Sequence, residues 1–286
     1  MIGATAGGCT QAICPSMSYS VVWFKRDLRL NDHAALSQAL CHGPVLCLYI
    51  VEPSLWRSAD AATQHYHFLL ESLRDLYREF KRCGGLLQVV SGEAVEVLDR
   101  LYALKPFHSL YSHQETGNAL SYTRDRAVAH WCRLRAIPWR QSQHFGVTRG
   151  LKDRDLWKDL WDQHVGQPCL PAPASIACVA LPWAEPAPPT AAELGLDTNE
   201  PTQRQRGGRT LALDVLNSFL NDRSQQYRGG ISSPLSAPTA CSRLSAYHVR
   251  ATKREVVHKH GSRKRIAPVK QKTVSAPAGQ QHTLDF

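Results

Sequence analysis

The sequence predicts an α/β fold with a doubly wound parallel sheet, followed by a linker and the start of a helical domain. Three observations carry that prediction. Apolar runs of four to eight residues recur between Tyr19 and Gln141, stretches of helical period separate them, and at Gln167 the composition turns Pro-rich before helical period resumes at Thr210. Strands alternating with helices of this length need crossovers that return to the same edge, which favours a parallel sheet wound on both faces.

The first strand is Tyr19 to Phe24, which breaks without a glycine into Lys25, Arg26, Asp27 and Arg29. A helix from Asp32 to Leu40 follows, with Asp32 placed to accept N–H bonds as its cap. Pro44 to Val51 is the second strand. The stretch "TQHYHFLLESLRDLYREFKRCGG" sets Tyr66, Leu69, Leu70, Leu73, Leu76, Tyr77 and Phe80 on one face, with Gly84 and Gly85 just past the end. That is an amphipathic helix covering a sheet. Leu86 to Ser91, Ser109 to His113 and Trp139 to Gln141 complete five strands in a Rossmann-like arrangement, with helices over Glu93 to Leu104 and Leu120 to Arg135 between them.

This α/β domain spans residues 18–165. Eight prolines between positions 168 and 201 mark residues 166–209 as an interdomain connector running over the surface. In "TLALDVLNSFLND" the side chains of Leu211, Val215, Leu216, Phe219 and Leu220 share one side, so a helical stub occupies 210–247. Residues 1–17 are small and polar and read as a disordered extension. Met17 immediately precedes the first strand, so a start assigned too far upstream explains them at least as well as a functional arm.

Of 286 residues 43% are apolar, enough for a real core, which excludes a fibrous or disordered chain. No window reaches the length of a membrane span and no secretion signal is visible, so the sequence reads as soluble and cytoplasmic. The nine cysteines contain no C-x-x-C pair and read as buried reduced thiols. Net charge is +10, but the segment 248–286 alone holds nine Lys and Arg against Glu255 and Asp285. The basic balance therefore describes a tail rather than the folded body.

In doubly wound sheets the carboxyl ends of the strands form the ligand crevice where the winding reverses. Lys25, Arg26, Asp27 and Arg29 place fixed charges beside it, and pairing of Asp27 with an Arg would hold the loop. The absence of G-x-G-x-x-G argues against a dinucleotide held in the standard way. In "QYRGGISSPLSAPTACSRLSAY", Ser242 and Ser245 supply hydroxyls at a helix start, a plausible phosphate seat that Ser-rich caps imitate.

Together these stretches resemble the photolyase and cryptochrome family. "VVWFKRDLRLNDHAAL" is similar to its opening strand and loop, "GPVLCLYIVEPSLW" to its second strand, and "HFLLESLRDL" to the long helix that follows. "YSHQETGNALSYTRDRAVAHW" and "FGVTRGLKDRDLWKDLW" resemble the later part of the N-terminal domain and its exit, and "YRGGISSPLSAPTACSRLSAY" the start of the FAD-binding domain. The resemblance runs from Ser18 to about Tyr247. It implies a doubly wound antenna domain followed by an all-α FAD-binding domain, and blue-light-dependent repair of pyrimidine dimers in DNA. It places FAD phosphates at Tyr227, Cys241, Ser242, Leu244 and Ser245. Cys241 stands where the family usually has Thr, and a thiol is the poorer donor. It also implies an antenna chromophore, whether folate, deazaflavin or flavin, with Glu115 near where some relatives contact a folate.

After Tyr247 the family continues with about two hundred residues that enclose the flavin ring, whereas this chain gives a basic segment in which only "REVV" resembles the expected helix. All seven tryptophans precede residue 184. The resemblance therefore implies a truncated, catalytically incompetent form that keeps the antenna domain, with no catalytic and no metal-ligating residue assigned. Two rival readings stand beside it: a stand-alone chromophore or nucleotide binder acting with a partner, and a cryptochrome-type photoreceptor. The tail 248–286 reads either as an out-of-frame remnant or as an arm contacting nucleic acid nonspecifically. The residues leave oligomeric state open.

Overall fold

The computed structural model describes residues 19–197, 199–225, 227, 235 and 241–244. The extension 1–17, Ser245 and the tail 248–286 lie outside the described residues. Among the described residues five parallel strands form one sheet: β1 (Ser20–Phe24), β2 (Val45–Val51), β3 (Leu87–Ser91), β4 (Ser109–His113) and β5 (Trp139–Ser142). Their order is β3-β2-β1-β4-β5. The chain winds outward from β1 through β2 to β3, then crosses back to place β4 on the other side of β1. The reversal therefore lies between β1 and β4, where Val21 pairs with Leu110 and Trp23 with Ser112.

The helices are α1 (Ala34–Leu40), α2 (Pro53–Trp56), α3 (Thr63–Arg82), α4 (Ala94–Leu104), α5 (Ala119–Leu134), α6 (Trp157–Gly166) and α7 (Arg209–Ser218), the last running into a π-helical turn, Phe219–Arg223. Pleating sends alternate side chains of each strand to opposite faces. Val22, Phe24, Val45, Cys47 and Tyr49 pack with α1 and the Tyr66–Phe80 stripe of α3. Val21, Trp23, Leu46, Leu48 and Ile50 pack with α4 and α5 on the other face. Both faces are thus covered, which is why β1 and β2 read as continuous apolar runs.

The long helix ends where expected, at Gly84, whose φ of +66° is the left-handed conformation that glycine adopts without strain. Leu70 is half-buried, and Tyr77 is 42% exposed, on the margin of the stripe. The first helix departs from expectation. His33, not Asp32, caps α1, its Nδ1 accepting the Leu36 N–H at 3.0 Å. Asp32 takes φ +51°, its N–H donates to Leu170 O at 2.7 Å, and its carboxylate accepts the Leu170 N–H at 3.3 Å. Its side chain is committed to a clasp on a distant segment, so the neighbouring imidazole takes the cap.

The Pro-rich segment packs onto the domain. Val45 N–H donates to Ala177 O at 2.9 Å, Val179 N–H donates to Val45 O at 2.8 Å, and Ile176 and Leu194 are buried in the α1–α3 core. Further on, Glu71 of α3 accepts bonds from Arg204, Arg206 and the Gly207 N–H, which seats the start of α7 against α3. Among the described residues no helix is long and apolar enough to cross a membrane.

Candidate functional site

A cavity of about 670 Å³ opens at the carboxyl ends of β1 and β2. Trp23, Tyr49 and Trp56 give it flat apolar walls, Phe68 of α3 closes one side, and Gly208 and Ala212 of the connector and α7 face it. Lys25 and Arg26 of the loop after β1, Glu52 just past β2, Glu115 of the loop after β4 and Arg124 of α5 are among its charged groups, with Arg204 and Arg209 on the connector side.

These charges alternate in sign and are paired. Lys25 Nζ lies 3.3 Å from Asp125. Arg124 reaches Glu52 at 2.6 Å, Asp125 at 3.0 Å and Glu115 at 3.5 Å, and Arg26 lies 3.5 Å from Glu115. The Arg124 guanidinium sits 4.7 Å from the Trp23 ring centroid and Lys25 Nζ 4.9 Å from it, so cations cover an aromatic wall. Burial pushes the Glu52 carboxyl up to about 7 despite Arg124 beside it, and burial lowers Lys25, opposed by Asp125.

Behind the cavity lies a second polar cluster, buried throughout. Asp27 accepts the Lys25 backbone N–H at 2.6 Å and lies 2.5 Å from His113 Nδ1 and 3.0 Å from His33 Nε2. The expected Asp27–Arg pair does not form; two imidazoles take its place. Arg29 instead bonds His144 Nε2 at 3.0 Å and the Asp32 carbonyl at 3.1 Å. Because His33 Nδ1 accepts from Leu36, its proton sits on Nε2, facing the carboxylate. Burial works against an ionised Asp27, but the two imidazoles outweigh it and hold the carboxyl well below its usual range. Burial, with His33 nearby, lowers His113 to about 4, and burial beside Arg29 holds His144 well below 6.5.

Asp27, His33 and His113 bring ligand-type atoms within 4.8 Å of one another. Separations of 2.5 and 3.0 Å are hydrogen-bond distances. Ligands sharing one tetrahedral ion with bonds of about 2.0–2.1 Å stand about 3.3 Å apart. The cluster therefore reads as shared protons fastening the β1 loop to α1 and β4, not as a metal centre.

The structure places Glu115 in the cavity wall, held by Arg26 and Arg124. The residues expected at FAD phosphates lie elsewhere. Tyr227 is 40% exposed, with its ring 5.5 Å from that of Phe219. Arg223 donates to the Cys241 carbonyl and, at 3.4 Å, to that of Ser242, and the Leu244 N–H donates to Ser242 Oγ at 3.4 Å. Sequence reasoning missed Glu52, Arg124 and Trp23 as wall groups, and Asp125 as the partner of Lys25 and Arg124. One signal was readable: "YIVEP" ends an all-apolar strand in a carboxylate immediately before a proline. Arg124 and Asp125 carry no such mark, lying inside a polar stretch of helix.

The sequence signature of the DNA photolyase family matches residues 20–146. The chain is 28% identical to Cryptochrome DASH of Gloeobacter violaceus over 264 residues, covering 80% of this chain and 52% of that protein. It is 39% identical over 84 residues to Cryptochrome-2 of Gallus gallus, covering 29% of this chain and 14% of that one. With the deoxyribodipyrimidine photo-lyase of Thermus thermophilus it shares 34% over 100 residues, 34% of this chain and 23% of that one. Among solved structures, a Synechocystis cryptochrome superposes with TM-score 0.70 at 20% identity, covering 86% of this chain and 56% of that one. A class III photolyase of Agrobacterium tumefaciens gives 0.68 at 22%, with 88% and 56% covered. The chain thus spans about half the length, or less, of these relatives. The signature over the sheet domain, the relatives and the shared architecture agree with the motifs read from the sequence: residues 20–146 form a DNA photolyase family domain, and the chain is similar to photolyases and cryptochromes.

Proposed function

We propose that the crevice holds a light-absorbing heteroaromatic chromophore and that this chain gathers blue light for FAD-dependent photolyase or cryptochrome chemistry. The observation that carries the reading is the cavity itself. It sits beside the winding reversal, is walled by Trp23, Tyr49 and Trp56, and carries the ion pairs of Lys25 and Arg124 at its edge. A folate, a deazaflavin or a flavin fits this wall chemistry, with Glu115 at one end of the site. When bound, such a group supplies absorption and energy transfer. The residues of the chain bind the ring, orient it against Trp56 and exclude water.

The solved archaeal photolyase of Sulfolobus tokodaii, described as holding two FAD molecules with a novel light-harvesting cofactor implied, gives TM-score 0.61 at 19% identity. It supports a chromophore beside the catalytic flavin. FAD phosphates are proposed at Tyr227, Cys241, Ser242, Leu244 and Ser245, and DNA as the partner. No catalytic residue is assigned. The test is to purify the full chain and titrate it with FMN, a deazaflavin and methenyltetrahydrofolate, following ligand fluorescence. Saturable binding of one of them, lost in Trp56→Ala, is expected. Failure of all three to bind refutes the reading.

A further inference from the structure

One wall group of the cavity has a hydrogen-bonding atom that the protein does not use. Glu52 is 3% exposed, and its Oε1 accepts from Arg124 Nη1 at 2.6 Å. Its Oε2 is buried with no hydrogen bond among the described residues. The charged groups around it form ion pairs with other carboxylates, although Arg124 Nη2 makes no hydrogen bond among the described residues. Arg124 also faces Asp125 and Glu115, Lys25 faces Asp125, and Glu93, at the head of α4, accepts from Ser54 N and Oγ at 2.9 and 2.7 Å. A buried carboxylate oxygen left unsatisfied is costly, and in a cavity wall it is a position where a ligand can supply the missing donor.

We propose that Glu52 Oε2 accepts a hydrogen bond from a ring N–H of the bound chromophore, so that Glu52 selects heteroaromatic rings with an imide or lactam edge. The inference rests on the chromophore reading. Arg124 fixes the carboxylate through its other oxygen and lies over Trp23, so the aromatic wall and the acceptor are held in one rigid unit. The ordinary ionised form accepts best, and burial makes Glu52 readily protonated near neutral pH. Ligand N–H donation favours the ionised form, so affinity rises with pH through about 7.

Flavins, deazaflavins and folates share such an edge, and titration of the three in parallel identifies the source. Whichever ring binds the full chain is compared with its own N3-methyl analogue. The parent ring is expected to bind about tenfold more tightly, because a site that places a buried acceptor against an N–H rejects the analogue lacking it. In Glu52→Gln the amide oxygen turns to Arg124 and the NH₂ faces the ligand, so the preference should vanish. Equal affinity for parent and N3-methyl rings in the wild type, or a preference retained in Glu52→Gln, overturns the assignment. Should Glu52→Gln not fold, the wild-type comparison decides alone. Binding of none of the three rings removes the chromophore reading itself, an outcome distinct from binding without N–H selectivity.

Discussion

At Asp27 a single carboxylate serves a backbone N–H and two imidazoles with no solvent available to replace any of them. In Asp27→Asn the amide must turn its NH₂ toward one of those donors. The expected loss is about 3 kcal/mol of stability, measured by denaturant unfolding. Glu52 and His113 titrate in opposite senses. His113 is lowered to about 4 from 6.5, so the stability it lends is present above pH 6.5 and lost as pH falls toward 4. Glu52 is raised to about 7 from 4.5, so its contribution is present below pH 4.5 and lost as pH rises to 7. Each shift corresponds to roughly 3 kcal/mol at about 1.4 kcal/mol per unit. In the window from 4.5 to 6.5 the two slopes oppose one another. Ligand-free Glu52→Gln should therefore be more stable than wild type at pH 8 and lose more stability on acidification to pH 4.5. A variant whose melting temperature parallels wild type across that range would contradict the assignment of Glu52.

Among the elements, the strands were the most legible in the sequence. Ser109–His113 matches its reading, and the others differ by a residue or so at an end. β1 and β2, buried on both faces, are short and almost wholly apolar and so are visible, whereas β4, equally buried, carries Ser109, Ser112 and His113. The cap of α1 was not legible, because the choice between Asp32 and His33 depends on Leu170, far along the chain. The seating of α7 on α3 depends on one glycine. A Cβ on Gly207 would lie 2.1 Å from the Phe68 carbonyl oxygen, an atom that cannot move without breaking the helix ladder. Gly207→Ala should detach the 204–210 segment from Glu71 and Ser72. Limited proteolysis is expected to cut there far faster than in wild type, at a cost of about 2 kcal/mol or more. Unchanged cleavage would show that the ion pairs of Glu71 hold the segment without the close backbone approach.

Across the whole molecule, fold class and a crevice at the carboxyl ends of the strands follow from local patterns, but the strand order and the occupants of the crevice wall do not. Glu52 and Arg124 are 72 residues apart, and Asp27 and His113 are 86 apart. Their pairing is fixed by which strand ends become neighbours, and spacing along the chain carries no trace of that. The same long-range dependence shapes the C-terminal side of the sheet domain. A composition change at Gln167 suggests a place to divide the chain, yet Ala177 and Val179 hold both backbone groups of Val45, and Ile176 and Leu194 fill the space over α1 and α3. A fragment ending at Gln167 should bind ANS and unfold at lower denaturant than one ending at Asp197. Any exchange of this module between proteins, whether by recombination or by design, would have to place its seam after the prolines, since the sheet borrows part of its outer wall from them.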